Sequence, residues 1–234
     1  MQTTLFIGRQ HELTEVARLC TRIGTRLVTI LGPGGVGKTR LALEVARALV
    51  DSCPEGGSSG AWPPPNSDLY LADGIYFVSL APLKAAEHIV PAIAEAINFQ
   101  FQADGRLPQQ QLLDYLAQKR LLLVLDNVEH LLDSVDLVDT LLQAAPHLRM
   151  LTTSRERLHL SSEIVFTLDA MAFPTWETPR EALSYSAVQL FVETAQRVRP
   201  AFTVDPTDVQ YVARICRLVG GMPLGIILAA AWSG

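Results

Sequence analysis

The chain has few cysteines, no excess of basic charge and no long apolar run, and each absence narrows what it can be. Three cysteines, Cys20, Cys53 and Cys216, occur among 234 residues. They are far apart, odd in number and outside any CxxC pattern, which argues against structural zinc and against a disulfide framework. Reduced thiols in a cytoplasmic protein are the expectation. The net charge is −5, with 19 Lys and Arg against 24 Asp and Glu, and no long run of either sign. This segment therefore offers no electrostatic footprint for nucleic acid or for an anionic membrane. The longest apolar stretch, Leu224–Trp232, is far short of the ~20 residues that span a bilayer. The N-terminus has no basic-then-apolar leader pattern, and no repeat recurs at a fixed period. What remains is 49% hydrophobic, with a mean hydropathy of +0.22. That excludes a disordered chain and suits one α/β domain plus a smaller piece.

Strand-like and helix-like runs alternate, the signature of βαβ units around a parallel sheet. The predicted strands are Arg26–Leu31, Ile75–Leu80, Leu121–Leu125, Met150–Thr153 and Ile164–Leu168. Several are apolar almost throughout, as expected when helices cover both sheet faces. The predicted helices are Glu12–Arg22, Lys38–Val50, Ala86–Ile97, Gln109–Gln118, Ser134–Ala144, Ser186–Arg197, Thr207–Val219 and Pro223–Ala231. Pro91 should kink its helix or delay its start. Residues 51–68, rich in Gly, Ser and Pro, read as a flexible insertion in which Trp62 is a possible anchor. After Leu168 the strand signals stop. A proline-containing linker follows, then helices only. The last helix is apolar enough to require a packing partner, so the chain is expected to be a fragment. The expected division is an α/β domain over 1–169 and a helical subdomain over 170–234, cut short at its C-terminus.

Residues Gly32–Thr39 read GPGGVGKT, a complete GxxxxGK[ST] phosphate loop between a strand and a helix. Its glycines let the backbone curl so that N–H groups point at phosphate oxygens, and the helix N-terminus adds positive potential. Gly32, Pro33, Gly34, Gly35, Val36, Gly37, Lys38, Thr39 and the following Arg40 form the candidate nucleotide-binding segment. Lys38 would reach the β- and γ-phosphates, and the Thr39 hydroxyl would ligate Mg²⁺.

A second motif supports the first. The run LLLVLDNVEH delivers Asp126 at the tip of an apolar strand, where it would hold Mg²⁺ beside the phosphates. Asn127 and Glu129 follow, and either could orient or activate a water. Glu129 is the better base, because a carboxylate accepts a proton and an amide does not. It could equally face solvent near a helix start. Met150–Arg155 reads MLTTSR, another strand whose tip would bring Arg155 near a γ-phosphate as a reporter of its presence. The alternative is a surface arginine in a loop.

Taken in order, these segments resemble the signal-transducing ATPases with numerous domains (STAND), whose nucleotide module is also called NB-ARC or NACHT. Phe6, Ile7, Gly8 and Arg9, followed by Glu12-Leu13, resemble the family's FxGR-x-x-EL motif, which contributes to the base pocket. GPGGVGKT resembles its phosphate loop and LLLVLDNVEH its acidic strand, with Asn127 where many members carry a second Asp. Thr152–Arg155 is similar to its first sensor. Gly220–Leu224 (GGMPL) resembles its GLPL motif, in which Pro223 would pack on adenine and Leu224 would follow. Read without that resemblance, Gly220-Gly221 ends one helix and Pro223 starts the next.

The resemblance implies a three-layer P-loop NTPase sandwich with a parallel sheet in the order 5-1-4-3-2, plus a small all-helical subdomain. It implies an ATP/ADP switch with Mg²⁺ and slow hydrolysis. ADP would favour a closed form, and exchange for ATP would free the helical subdomain and permit oligomerisation. The segment alone is expected to be monomeric and to bind ADP at least as well as ATP. Sensor and effector domains, including any DNA-binding domain, would lie elsewhere in a longer protein. Two alternatives share the phosphate motifs. An AAA+ motor or loader is disfavoured by the Gly220–Leu224 motif, and a small-molecule kinase by the lack of a lid or acceptor pocket.

Overall fold

The computed structural model describes residues 6–52, 71–129, 135–175 and 179–232. Most of the expected insertion, including Trp62, lies outside the described residues, as does His130 at the end of the acidic-strand motif. Two compact units are present. One comprises His11–Gly32 and Lys38–Thr167; the other comprises Met1–Gln10, Pro33–Gly37 and Leu168–Gly234. The division is not linear, since the middle of the phosphate loop and the N-terminal segment group with the C-terminal helices.

The first unit is built on a parallel sheet of β1 (Leu27–Leu31), β2 (Gly74–Ser79), β3 (Leu121–Asp126), β4 (Arg149–Ser154) and β5 (Glu163–Thr167). Their order is β2-β3-β4-β1-β5, the expected 5-1-4-3-2 read from the other edge, and every pairing is parallel. Burial follows position. Inner strands β3 and β4 are buried at every residue, while the edge strands β2 and β5 are largely half-buried. That is why LLLVL is continuous and unalternating. The described helices of this unit are α1 (Gln10–Cys20), α2 (Lys38–Asp51), α3 (Ile89–Ala96), α4 (Pro108–Leu116) and α5 (Val135–Ala144).

The predicted helix over 86–97 is divided. Ala86–His88 forms a 3₁₀ turn and α3 starts at Ile89. Pro91 is then the third residue of α3, in the first turn, where a missing N–H costs no intrahelical bond. Arg149 opens β4 as a buried cation. One of its nitrogens donates to the carbonyls of Cys20, Arg22 and Thr25 at 2.8, 3.1 and 2.6 Å, collecting acceptors at the end of α1 and in the turn that follows it.

The second unit contains α6 (Pro179–Ala182), α7 (Ser186–Val198), α8 (Pro206–Leu218) and α9 (Pro223–Ala231). Its core joins Met171, Val188, Phe191, Val212, Cys216, Ile226 and Ala230. The turn from α8 to α9 is a Schellman cap. Gly220 N–H bonds to the Arg217 carbonyl at 3.0 Å and Gly221 N–H to the Cys216 carbonyl at 2.9 Å, with Gly220 at φ +58°. Pro223 then occupies the first turn of α9. The apolar α9 buries only one face, through Ile226 and Ala230, while Leu224, Ile227 and Leu228 are exposed.

Candidate functional site

In the sheet unit, β1 leads to Gly32 and α2 opens at Lys38. Gly32 N–H extends the β1–β4 ladder by one bond, to the Ser154 carbonyl at 3.2 Å. Lys38 is only 8% exposed, and its Nζ donates to the Gly32 carbonyl at 2.8 Å, closing the loop across its base. Burial pushes the Lys38 pKa below its ordinary value; Glu129 opposes the shift, Arg155 adds to it and Asp126 opposes it. A buried cation whose charged form is disfavoured is well suited to receive an anion. Gly35 and Gly37 have φ of +79° and +97°, left-handed backbone that glycine adopts at little cost and that anion-binding turns use.

Asp126 ends β3 and is buried. Its Oδ1 accepts from the Thr39 hydroxyl at 2.6 Å and from the Thr153 hydroxyl at 2.7 Å. The Thr153 oxygen in turn accepts the Asn127 N–H at 2.9 Å. Asn127 has φ +69°, a region that Asn enters more readily than most residues. Two positions on, the Glu129 side chain is 10% exposed and pairs with Arg155, whose Nε lies 3.1 Å from Oε1 and whose side chain is 62% exposed. The pairing is ionic only, since neither Glu129 oxygen accepts a well-aligned hydrogen bond among the described residues. Arg40 is engaged along α2, 2.9 Å from Glu44.

The remaining sequence candidates belong to the second unit. A Cβ built on Gly8 would lie 2.7 Å from Ser186 Cβ, so this segment approaches the first residue of α7 closely. Arg9, at φ +60°, donates to the Asp169 carbonyl at 2.8 Å. Phe6, Ile7 and Pro223 are half-buried. The Gly35 carbonyl accepts the Leu224 N–H at 3.2 Å, and a Cβ on Gly35 would come within 2.9 Å of Leu224 Cβ. The segment resembling GLPL thus meets the segment resembling the phosphate loop, backbone to backbone.

The donor chemistry fits Mg²⁺. Thr39 and Asp126 offer hard oxygens, and no cluster of three or more His, Cys, Asp or Glu able to hold a metal occurs among the described residues. Mg²⁺ commonly takes few protein ligands and completes its shell with phosphates and water. A cleft of about 380 Å³ elsewhere in the sheet unit is lined by Phe99, Arg106, Asp114, Tyr115 and Lys119. Its cations are already paired, Arg106 with Asp104 and Asp114, and Lys119 with Asp73, so it has no free charge to offer a phosphate. Thr153 lies in the Thr152–Arg155 segment that resembles the first sensor, where the sequence suggests a role for Arg155 alone. Its signal was available: a hydroxyl on a strand buried at every residue must find a partner.

Residues 5–153 match the family model of the AAA ATPase domain. The chain belongs to that family. This AAA ATPase domain is 38% identical over 207 residues to a Mycobacterium bovis protein named as an HTH-type transcriptional regulator, a match spanning 88% of this chain and 20% of that protein. It is 36% identical over 229 residues to an uncharacterized Mycobacterium bovis protein, spanning 97% of this chain and 50% of the relative. The chain therefore spans half or less of the length of these curated relatives. A STAND protein with a tetratricopeptide repeat sensor from Pyrococcus horikoshii is similar in structure, with a TM-score of 0.51 and 16% identity over 97% of this chain and 30% of that one. So is the Aeropyrum pernix ORC1 protein, solved in complex with DNA, at a TM-score of 0.59 and 18% identity over 95% of this chain and 58% of that one. At these identities the likeness concerns the fold.

Proposed function

We propose that this AAA ATPase domain is an ATP- and ADP-binding switch module that hydrolyses ATP slowly, so that nucleotide state controls the conformation and assembly of a longer protein. The observation that carries the reading is the 2.6 Å bond from Thr39 to Asp126. It joins the first turn after the phosphate loop to the acid at the strand tip, the pair that would hold Mg²⁺. The ion, when bound, neutralises charge on the β- and γ-phosphate oxygens. Lys38 would exchange its Gly32 carbonyl for those phosphates, with Gly34, Gly35 and Gly37 supplying backbone N–H groups and Arg40 flanking them. Phe6–Arg9, Pro223 and Leu224 would form the base pocket. Residues 1–169 are assigned to nucleotide binding and 170–234 to a helical part.

Slow hydrolysis follows from the proposed base. Asn127 is an amide and accepts no proton. Glu129 is paired with Arg155, the guanidinium assigned to report the γ-phosphate, so that contact must be exchanged before Glu129 can orient a water. We infer a cytoplasmic protein whose sensing and output, including any DNA binding, reside in other parts. The relative named as a transcriptional regulator, of which this chain covers 20%, supports that division. The fold likeness to the ORC1 protein supports a second reading, a motor or loader ATPase, which DNA-stimulated turnover and a stable nucleotide-dependent ring would favour.

The reading is tested by Lys38→Ala. It should abolish calorimetric binding of ATP and ADP while the far-UV circular dichroism stays native, because Lys38 acts as a point charge for phosphate. Unchanged affinity would overturn the assignment.

A further inference from the structure

The Thr152-Thr153 pair is where β4 is clasped by both its neighbours, and the proposed function uses neither residue. Both are buried, at 0% and 1% exposure. Thr152 Oγ1 lies 2.9 Å from Thr29 Oγ1 on β1. Thr153 Oγ1 donates to Asp126 Oδ1 at 2.7 Å and accepts the Asn127 N–H at 2.9 Å. The register sets Leu125 against Thr152, so Thr153 falls beside Asp126, just past the paired ladder.

The direction of each bond is fixed by chemistry. A backbone N–H can only donate and a carboxylate can only accept, so the single Thr153 proton is committed to Asp126. Asp126 Oδ1 has two hydroxyl donors, Thr39 and Thr153. Thr39 is the one assigned to the metal. When it turns to that task, Thr153 is the donor that stays on Oδ1.

We propose that Thr153 is a positioning residue for the metal-facing acid: its hydroxyl orients the Asp126 carboxylate and anchors the left-handed turn at Asn127 before nucleotide arrives. The proposal rests on the reading of Asp126 given above. Thr153→Val keeps the volume and leaves both Asp126 and the Asn127 N–H without this partner. Thr153→Ala does the same with less bulk, and Thr153→Ser keeps the hydroxyl.

The test titrates each variant with fluorescent ATP and ADP analogues, with and without Mg²⁺. Loss of an outer-shell partner typically costs 10–100-fold, so Val and Ala should bind Mg²⁺–ATP about 10–100-fold more weakly than wild type. Metal-free ADP should bind within about twofold, since it does not call on Asp126, and Ser should restore Mg²⁺–ATP binding to within about threefold. Equal losses for Mg²⁺–ATP and metal-free ADP would make the role merely structural and overturn the proposal. So would full Mg²⁺–ATP affinity in Val and Ala, failure of Ser to rescue, or failure of all three variants to fold. If Val alone fails to fold, Ala carries the comparison. Asp126→Ala separates the two levels. If it loses the Mg²⁺ dependence while Thr153→Val and Thr153→Ala retain it, the site reading stands and this proposal falls. If the wild type shows no Mg²⁺ dependence, both fall.

Discussion

Asp126 and Lys38 are two buried charges in one strand-tip neighbourhood, and they make opposite demands. Asp126 accepts from two hydroxyl donors, whereas the Lys38 ammonium donates to the Gly32 carbonyl while burial presses it toward neutrality. Asp126→Ala should therefore weaken Mg²⁺–ATP binding by about 10-fold or more while metal-free ADP binding changes little, since a metal anchored at the β- and γ-oxygens matters most to the triphosphate. Isothermal titration with both nucleotides checks this, and a variant with normal Mg²⁺ dependence contradicts it. The Lys38 shift also fixes a pH dependence. A folded-state pKa below the ordinary 10.5 means that the unfolded chain binds more protons than the native one at alkaline pH, so this residue's penalty on stability is relieved as pH rises. Without nucleotide, Lys38→Met should be more stable than wild type at pH 7. The gap should narrow on approach to pH 10 in urea titrations, and a constant or widening gap would show that burial of this charge carries no penalty.

At the scale of elements, the GGMPL turn is the most tightly specified segment outside the sheet. Gly221 has φ +68°, and a Cβ there would lie 2.1 Å from the Met171 carbonyl oxygen, while its own carbonyl accepts the Met171 N–H at 2.9 Å. Backbone cannot move aside as a flexible side chain can. Gly221→Ala should cost about 2–4 kcal/mol, read as a lowered urea midpoint. Gly24→Ala is the control: φ is +81° but nothing lies within 4 Å, so only the strain remains, about 1 kcal/mol. Equal effects of the two would remove the packing argument. Such elements were legible where local chemistry decides them. β3 announced itself as an unbroken apolar run ended by an acid, α9 by Pro223, and the α8 stop by paired glycines. The four-residue α6 carries no period long enough to detect. The start of α3 at Ile89 depends on a preceding turn. The candidate site was legible as residue types at strand tips, whereas the Thr153–Asp126 bond and the Arg155–Glu129 pair depend on register and loop course between segments 27 residues apart and 26 residues apart, which no local pattern encodes.

At the scale of the whole molecule, each unit has its own core and each core holds one buried thiol, which makes cysteine a reporter of both. Burial pushes the Cys20 thiol up to about 12 and the Cys216 thiol up to about 11. Reaction needs the thiolate. Both should therefore resist alkylation in the native protein at pH 8, and should label together with global unfolding. Peptide mapping after iodoacetamide treatment checks this, and selective labelling of Cys216 would mean that the helical unit opens independently of the sheet unit.

The central claim, a nucleotide-binding module of switch type, is tested most directly by titrating the purified chain with ADP and ATP, with and without Mg²⁺, while following phosphate release and sedimentation. The account predicts one site per chain, ADP bound at least as tightly as ATP, a monomer throughout, and turnover far below the enzyme median of about 10 per second. Absence of binding to either nucleotide, or rapid turnover accompanied by a stable ATP-dependent ring, would contradict it.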